Sequence, residues 1–201
     1  MSENREELTL TEVKKAKVLQ TIVLPLIVPT ESEVLNSANL DLSKSDLNAC
    51  YSKSSNGQSG KKQSWYDVQL IVNFQGDLPS RKEWFYMVTD DGDLFKACFT
   101  GKRVKRLCTF ENKKIIGVWI KERLVEWEAL ESFKFVHQDQ KRSGIITKET
   151  LDFYGGDTIY IKKTNKTKKD EDGITRDIWL ISFPYRLYSA EGEECLSDTE
   201  F

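Results

Sequence analysis

Two runs rich in aromatic and β-branched residues, EWFYMVT (Glu83 to Thr89) and DLFKACF (Asp93 to Phe99), flank Asp90, Asp91 and Gly92. An Asp-Gly pair accepts the positive φ that a tight hairpin turn needs, and the flanking residues favour a pleated backbone. The pair predicts an antiparallel hairpin, and the other apolar runs are consistent with more strands of the same kind. QTIVLPLIV (Gln20 to Val28) contains Pro25, which suits an edge strand or a bulge. WYDVQLIVNF (Trp65 to Phe74) alternates in part. DTIYIKK and RDIWLISFPYRLY read as a last pair of strands, split by the polar connector TNKTKKDEDGITR.

Helical signals are fewer. Thr147 as N-cap, Glu149 behind it, the apolar Leu151 and Tyr154, and a stop at Gly155-Gly156 predict one short helix. KKIIGVWIKERLVEWEALESFKFV reads as strand throughout, or as strand followed by a short helix around residues 125–133. The sum is about seven short strands with one or two short helices and no βαβ alternation, which predicts an antiparallel barrel or sandwich. With 201 residues, one domain with appendages is expected: a polar segment at 1–16, a folded domain at 17–188 and an acidic tail at 189–201. Residues 29–64 are polar and Ser/Asn-rich, a loop long enough to be functional.

Several chemistries lack their residues. The single histidine, His137, is followed by Gln138 and Asp139, so a nucleophilic triad or an HxK nuclease pair has no support. No GxGxxG or GxxxxGK[ST] occurs, and no nucleotide cofactor is expected. The four cysteines, Cys50, Cys98, Cys108 and Cys195, form no CxxC pair, so they are read as reduced thiols, with no zinc site. No apolar run approaches the roughly 18 to 20 residues of a membrane helix, and MSENREELTLTEVKKAK lacks the apolar core of a signal peptide. The expectation is a cytoplasmic protein without a membrane partner. Asp93 with Glu111 and Lys113 matches the D…ExK pattern of metal-dependent nucleases; solvated loop residues produce the same pattern. The aromatics Trp84, Phe85, Tyr86, Phe95, Phe99, Trp119 and Trp127 fall inside apolar runs and are read first as core.

Charge is unevenly spread. From Lys96 to Arg123 there are nine Lys or Arg against two Glu, in a chain of formal net charge −2. Lys102, Arg103, Lys105 and Arg106 are punctuated by Gly101, Val104 and Leu107 and followed by Asn112 and Lys113, so the segment reads as a shaped loop. Arg and Asn make bidentate contacts to guanine and adenine edges, whereas Lys neutralises phosphate. A second polar arm, SKSDLNACYSKSSNGQSGKKQ, contributes Asn48, Lys61 and Lys62.

These segments carry a family resemblance. KSDLN (Lys44 to Asn48), GKKQSWYDVQLIV (Gly60 to Val72), VTDDGDLF (Val88 to Phe95), KRLCTFENKKIIGVWIKERL (Lys105 to Leu124), SGIITKETLDFYGGDTIYIKK (Ser143 to Lys163) and DIWLISF (Asp177 to Phe183) together resemble the DNA-binding domain at the C-terminus of restriction endonucleases of the NgoFVII and BfiI type, of the plant-transcription-factor "B-three" kind. The resemblance implies a mainly β fold, a seven-stranded open pseudobarrel with one or two short flanking helices, that grips the major groove of double-stranded DNA with two arms. One arm is the loop before WYDVQLIV and the other the loop after LFKACF. It places Asn48 on the family's SGLN motif, Lys61 on a basic position after a glycine, Asp67 on an acidic position, Lys105 on the second arm's lysine and Arg123 on an arginine near the barrel. Asp46 stands where the family has glycine, and Lys61 where arginine is usual. The implied role is non-catalytic: a prokaryotic specificity module, with cleavage by a nuclease domain or subunit of the same restriction system. Expected base readers are Asn48, Arg103, Arg106 and Asn112; expected phosphate contacts are Lys61, Lys62, Lys102, Lys105 and Lys113. The alternatives are a small metal-dependent endonuclease using Asp93, Glu111 and Lys113, and a protein-interaction barrel.

Overall fold

In the computed structural model, which describes residues 9–52, 63–102, 105–188 and 194–196, the expected hairpin is β3 (Phe85–Thr89) and β4 (Leu94–Thr100). Gly92 sits in its turn at φ +105°. The chain then turns at Gly101, φ +108°, into β5 (Lys105–Thr109), which pairs back on β4. With β1 (Val18–Pro25), β2 (Ile71–Val72), β6 (Thr158–Lys169) and β7 (Thr175–Ser182) the sheet has seven strands, ordered β1-β6-β7-β3-β4-β5-β2. It is mainly β and curls into an open half-barrel. β1, with Pro25 at its end, is one edge, as the proline suggested. Five of the six neighbouring pairs are antiparallel; β3 and β7 alone run parallel. A small ribbon, β8 (Arg186–Tyr188) with β9 (Glu194–Leu196), stands apart.

β3 and β7 form the middle of the sheet and are buried on both faces. Phe85, Met87, Trp179 and Ile181 point into the main core, where the rings of Phe85, Phe99 and Trp179 meet at 4.8–5.9 Å. Tyr86, Val88, Ile178 and Leu180 point the other way, onto Val13. Val13 belongs to α1 (Leu10–Lys14), capped by Thr9 and Glu12 in a reciprocal box. The polar N-terminal segment thus places α1 against the sheet through Val13. The region 29–64 also carries structure, with α2 (Glu31–Asn36) and α3 (Ala49–Ser52) and a satellite core of Val34, Leu42, Cys50, Trp65 and Ile145.

The largest departure from expectation is IIGVWIKERLVE, read as strand and found as helix α4 (Ile115–Glu126). Ile116, Trp119, Ile120 and Leu124 fall at helical spacing on one face and join the main core. WYDVQLIVNF contributes only Ile71 and Val72 to the sheet, because Trp65 packs into the satellite core with Tyr51 and Ile145. The polar connector before Ile174 is mostly ladder: β6 and β7 stay paired out to Lys169 and Thr175. The short helix α5 (Lys148–Tyr154) has Thr147 as its N-cap and left-handed Gly155 as its C-cap, as the sequence indicates.

Gly117 lets α4 lie against the chain that precedes β2. A β-carbon there would stand 1.9 Å from the Tyr66 carbonyl oxygen, which is backbone and has no rotamer to change. Gly117→Ala is expected to lower stability by about 1–3 kcal/mol despite the better helix propensity of alanine. Urea denaturation measures this; a neutral or stabilising result would show that the helix can move away freely.

Arg123, near the end of α4, fastens the β3–β4 turn. It donates to both Asp90 oxygens at 2.6 and 2.8 Å, to Asp91, and to the Phe183 carbonyl at 2.9 Å. Asp90 in turn accepts the Phe183 amide at 3.0 Å, and Trp119 donates to Asp91 at 2.8 Å. Burial pushes the guanidinium pKa down, but bonding and charge pairing with Asp90 and Asp91 more than offset this and leave it raised. The TDDG turn and Arg123 are thus one structural lock.

Candidate nucleic-acid interface

The basic stretch is a strand before it is a loop. Lys105 and Arg106 lie in β5, opposite Val72 and Ile71 of β2 on one side, with Thr100 of β4 opposite Arg106 on the other. Leu107 turns into the core, so by the two-residue period of a strand Arg106 turns away from it. Lys102 is exposed at the hairpin end, Arg106 is exposed and Lys105 half-buried; Arg103 lies outside the described residues.

Between this hairpin and the segment Asp67 to Leu70 runs an open groove of about 560 Å³. Arg81, Arg106 and Lys113 line it with positive charge, and Asp67 and Gln69 face them with polar groups. Phe110 forms part of its rim, with the Arg81 guanidinium 5.2 Å from the ring centroid. Arg81, Phe110 and Gln69 carried no distinguishing signal in the sequence: they are joined to the basic stretch only by the sheet. A groove edged with arginine and lysine beside hydrogen-bonding side chains has the chemistry to hold a phosphate backbone and touch base edges.

Asn48 corrects the expectation of a base-reading role. It is fully buried, donates from Nδ2 to the Ile146 carbonyl at 2.8 Å and accepts the Ile146 amide at 3.1 Å. An amide committed in this way holds a backbone segment in place and has no face left to offer a ligand. The departure at Asp46 has a similar explanation. Its carboxylate accepts the Ile27 amide at 2.7 Å and is bonded by the Ile71 backbone, and its own carbonyl accepts from Gln69 at 2.9 Å. Burial raises its pKa more than these bonds lower it.

The chain that resumes at Gln63 is equally fixed. Gln63 accepts the Val136 amide at 3.1 Å, Ser64 bridges to Phe135, and the Lys121 ammonium donates to the Trp65 carbonyl while lying 4.5 Å from that ring's centroid. Lys61 and Lys62, the expected cations of this arm, lie outside the described residues. Asn112 is exposed, but its Oδ1 accepts the Lys114 amide at 3.0 Å and its carbonyl accepts the Thr109 hydroxyl at 2.6 Å, so much of the residue shapes the turn into α4.

Of the nuclease-like set, Glu111 accepts the Lys96 amide with both oxygens at 3.2 Å. Among the described residues no three His, Cys, Asp or Glu side chains are grouped to hold a metal. His137 is exposed and stacks on Phe135.

Curated proteins give no match to this chain. A family model does: that of the NgoFVII C-terminal B3-like DNA-binding domain, over residues 29–165. The match takes in Asn48 and Trp65, the β3–β4–β5 meander, α4 and α5. With well over half its length matched and the curled seven-stranded sheet in place, the chain belongs to the NgoFVII C-terminal B3-like DNA-binding domain family.

Proposed function

We propose that this DNA-binding domain seats duplex DNA in the groove between the β4–β5 hairpin and the segment before β2, reads a short sequence from the major groove, and lends that specificity to the nuclease of a restriction system. The observation that carries the proposal is the placement of Arg81, Arg106 and Lys113 around one open groove. Arg106 and Arg103 are the base readers, with Asn112 beside them. Lys102, Lys105 and Lys113 position phosphate from the second arm, and Lys61 and Lys62 from the first. Asn48 leaves the reading set and supports it. Cleavage belongs to a separate nuclease domain or subunit.

The test has two stages. Selection from random duplex DNA should enrich one short motif; recovery of unrelated sequences at every salt concentration would remove sequence reading from the proposal. Charge reversal of Lys105 and Arg106 to Glu should then weaken binding by tenfold or more, since a base-reading arginine alone is worth roughly 1–3 kcal/mol and a phosphate-contacting lysine about one unit of salt slope. A protein-interaction barrel with an incidental basic loop predicts unchanged affinity for DNA.

A further inference from the structure

The sheet face that turns away from the main core carries more cations than the groove uses. Strand parity places Arg106, Thr100 and Cys98 on this face, because Leu107, Phe99 and Ala97 point into the core. Lys96 follows on β4, opposite Tyr86 of β3. Tyr86 neighbours Ile178 of β7, and two residues earlier Arg176 faces Lys168 of β6. The row therefore crosses five strands. Aromatic rings fix its cations: Lys96 and Arg176 lie 5.2 and 4.4 Å from the Trp84 ring, and Lys168 lies 5.4 Å from that of Tyr86. Trp84 also touches Phe110 at 6.2 Å, which makes the row continuous with the groove rim. At its far end the Lys17 amide donates to Asn165 at 3.0 Å and its carbonyl accepts the Asn165 amide at 2.9 Å, which brings the exposed Lys17 to the end of β6 that carries Lys166.

Acidic residues neutralise part of this face. Asp170 holds Arg176 at 2.9 Å, and its other oxygen accepts the turn amides of Asp172 and Ile174; Glu171 lies 3.5 Å from Lys96. Lys166 and Lys168 stand clear of these pairs. A lysine row is ordinarily a solvated face. This row differs in being held on aromatic rings and in running without a break from a nucleic-acid groove.

We propose that the outer sheet face, from Arg106 through Lys96 and Arg176 to Lys168 and Lys166, is a second nucleic-acid contact that tracks the phosphate backbone of duplex flanking the recognised site. The inference rests on the groove holding duplex DNA. The flanking backbone is engaged by charge and not by sequence, so its contribution depends on duplex length and salt. It extends the footprint on one side only, because the row leaves the groove on one side.

The test compares a duplex of roughly one helical turn, about 10 base pairs, with one of roughly three turns, using the full chain and a Lys166→Gln/Lys168→Gln variant. Wild type should bind the longer duplex with the steeper salt dependence. The variant should lose about two units of that slope on the longer duplex and bind the shorter one as wild type does, and Lys166→Arg/Lys168→Arg should restore the slope. An unchanged slope on the longer duplex, or an equal loss on both, overturns the inference while leaving the groove reading intact. If the Lys105→Glu/Arg106→Glu protein binds both duplexes like wild type, the groove reading fails and the inference fails with it.

Discussion

Arg123→Met is expected to destabilise the domain by about 3–5 kcal/mol, the range found when one partner of a buried ion pair is removed and the other is left behind. The Asp90 side chain is 3% exposed and Arg123 10% exposed, so the abandoned carboxylate has almost no access to water. The Phe183 carbonyl loses a donor at the same time, although the Tyr154 hydroxyl, at 2.7 Å, remains. Asp91 provides the contrast. It is 56% exposed, and Asp91→Asn should cost less than about 1 kcal/mol, as solvent-screened pairs do. Adding Asp90→Asn to Arg123→Met should recover part of the loss, because the orphaned charge disappears. Urea denaturation of the four proteins measures all of this. An Arg123→Met protein within 1 kcal/mol of wild type would mean that the lock carries little net stability.

A second large effect follows from Lys121. Burial pulls its pKa from the ordinary 10.5 down to about 8, with Cys50 and Asp67 resisting. In the unfolded chain the amine keeps its proton up to the ordinary value. Between these two values unfolding takes up a proton, so raising the pH across the window stabilises the folded state. Below pH 8 the penalty of the buried ammonium is fully in place; above 10.5 it is gone. The difference amounts to about 3 kcal/mol over the window. Lys121→Met removes the titrating group, so the difference in unfolding free energy between wild type and variant should move by this amount from pH 8 to 10.5 in favour of wild type. Taking the difference cancels the tyrosines that titrate in the same range. A pH-independent difference would show that Lys121 keeps its proton, or reaches water, in the folded protein.

What the sequence disclosed was local. The β3–β4 hairpin follows from Asp91-Gly92, and α5 from Thr147 and Gly155, because each signal and its consequence lie within a few residues. α4 escaped for a physical reason: Lys114 at its N-cap makes no side-chain cap bond, and its isoleucines favour strands when read alone. β3 and β7 show no polar alternation because both their faces are covered, so parity, and with it the row of cations on the outer face, was hidden. Asn48 was expected among the base readers, and its burial could not be foreseen, since its partner Ile146 lies 98 residues away. The groove was half legible: Arg106 and Lys113 stood out by charge, while Arg81 and Phe110 needed the sheet to bring them there.

The anchoring of the chain at Asn48 and Trp65 has a consequence for how the segment between them can change. Asn48 grips one end through Ile146, and Lys121 grips the chain just past the other through Trp65. The exposed Lys102, Arg106 and Lys113 likewise sit outside the core. Substitutions at these surface positions are therefore expected to leave the residues that keep the scaffold folded untouched. A replacement for the segment between Asn48 and Trp65 is expected to need a match at only these two anchor points.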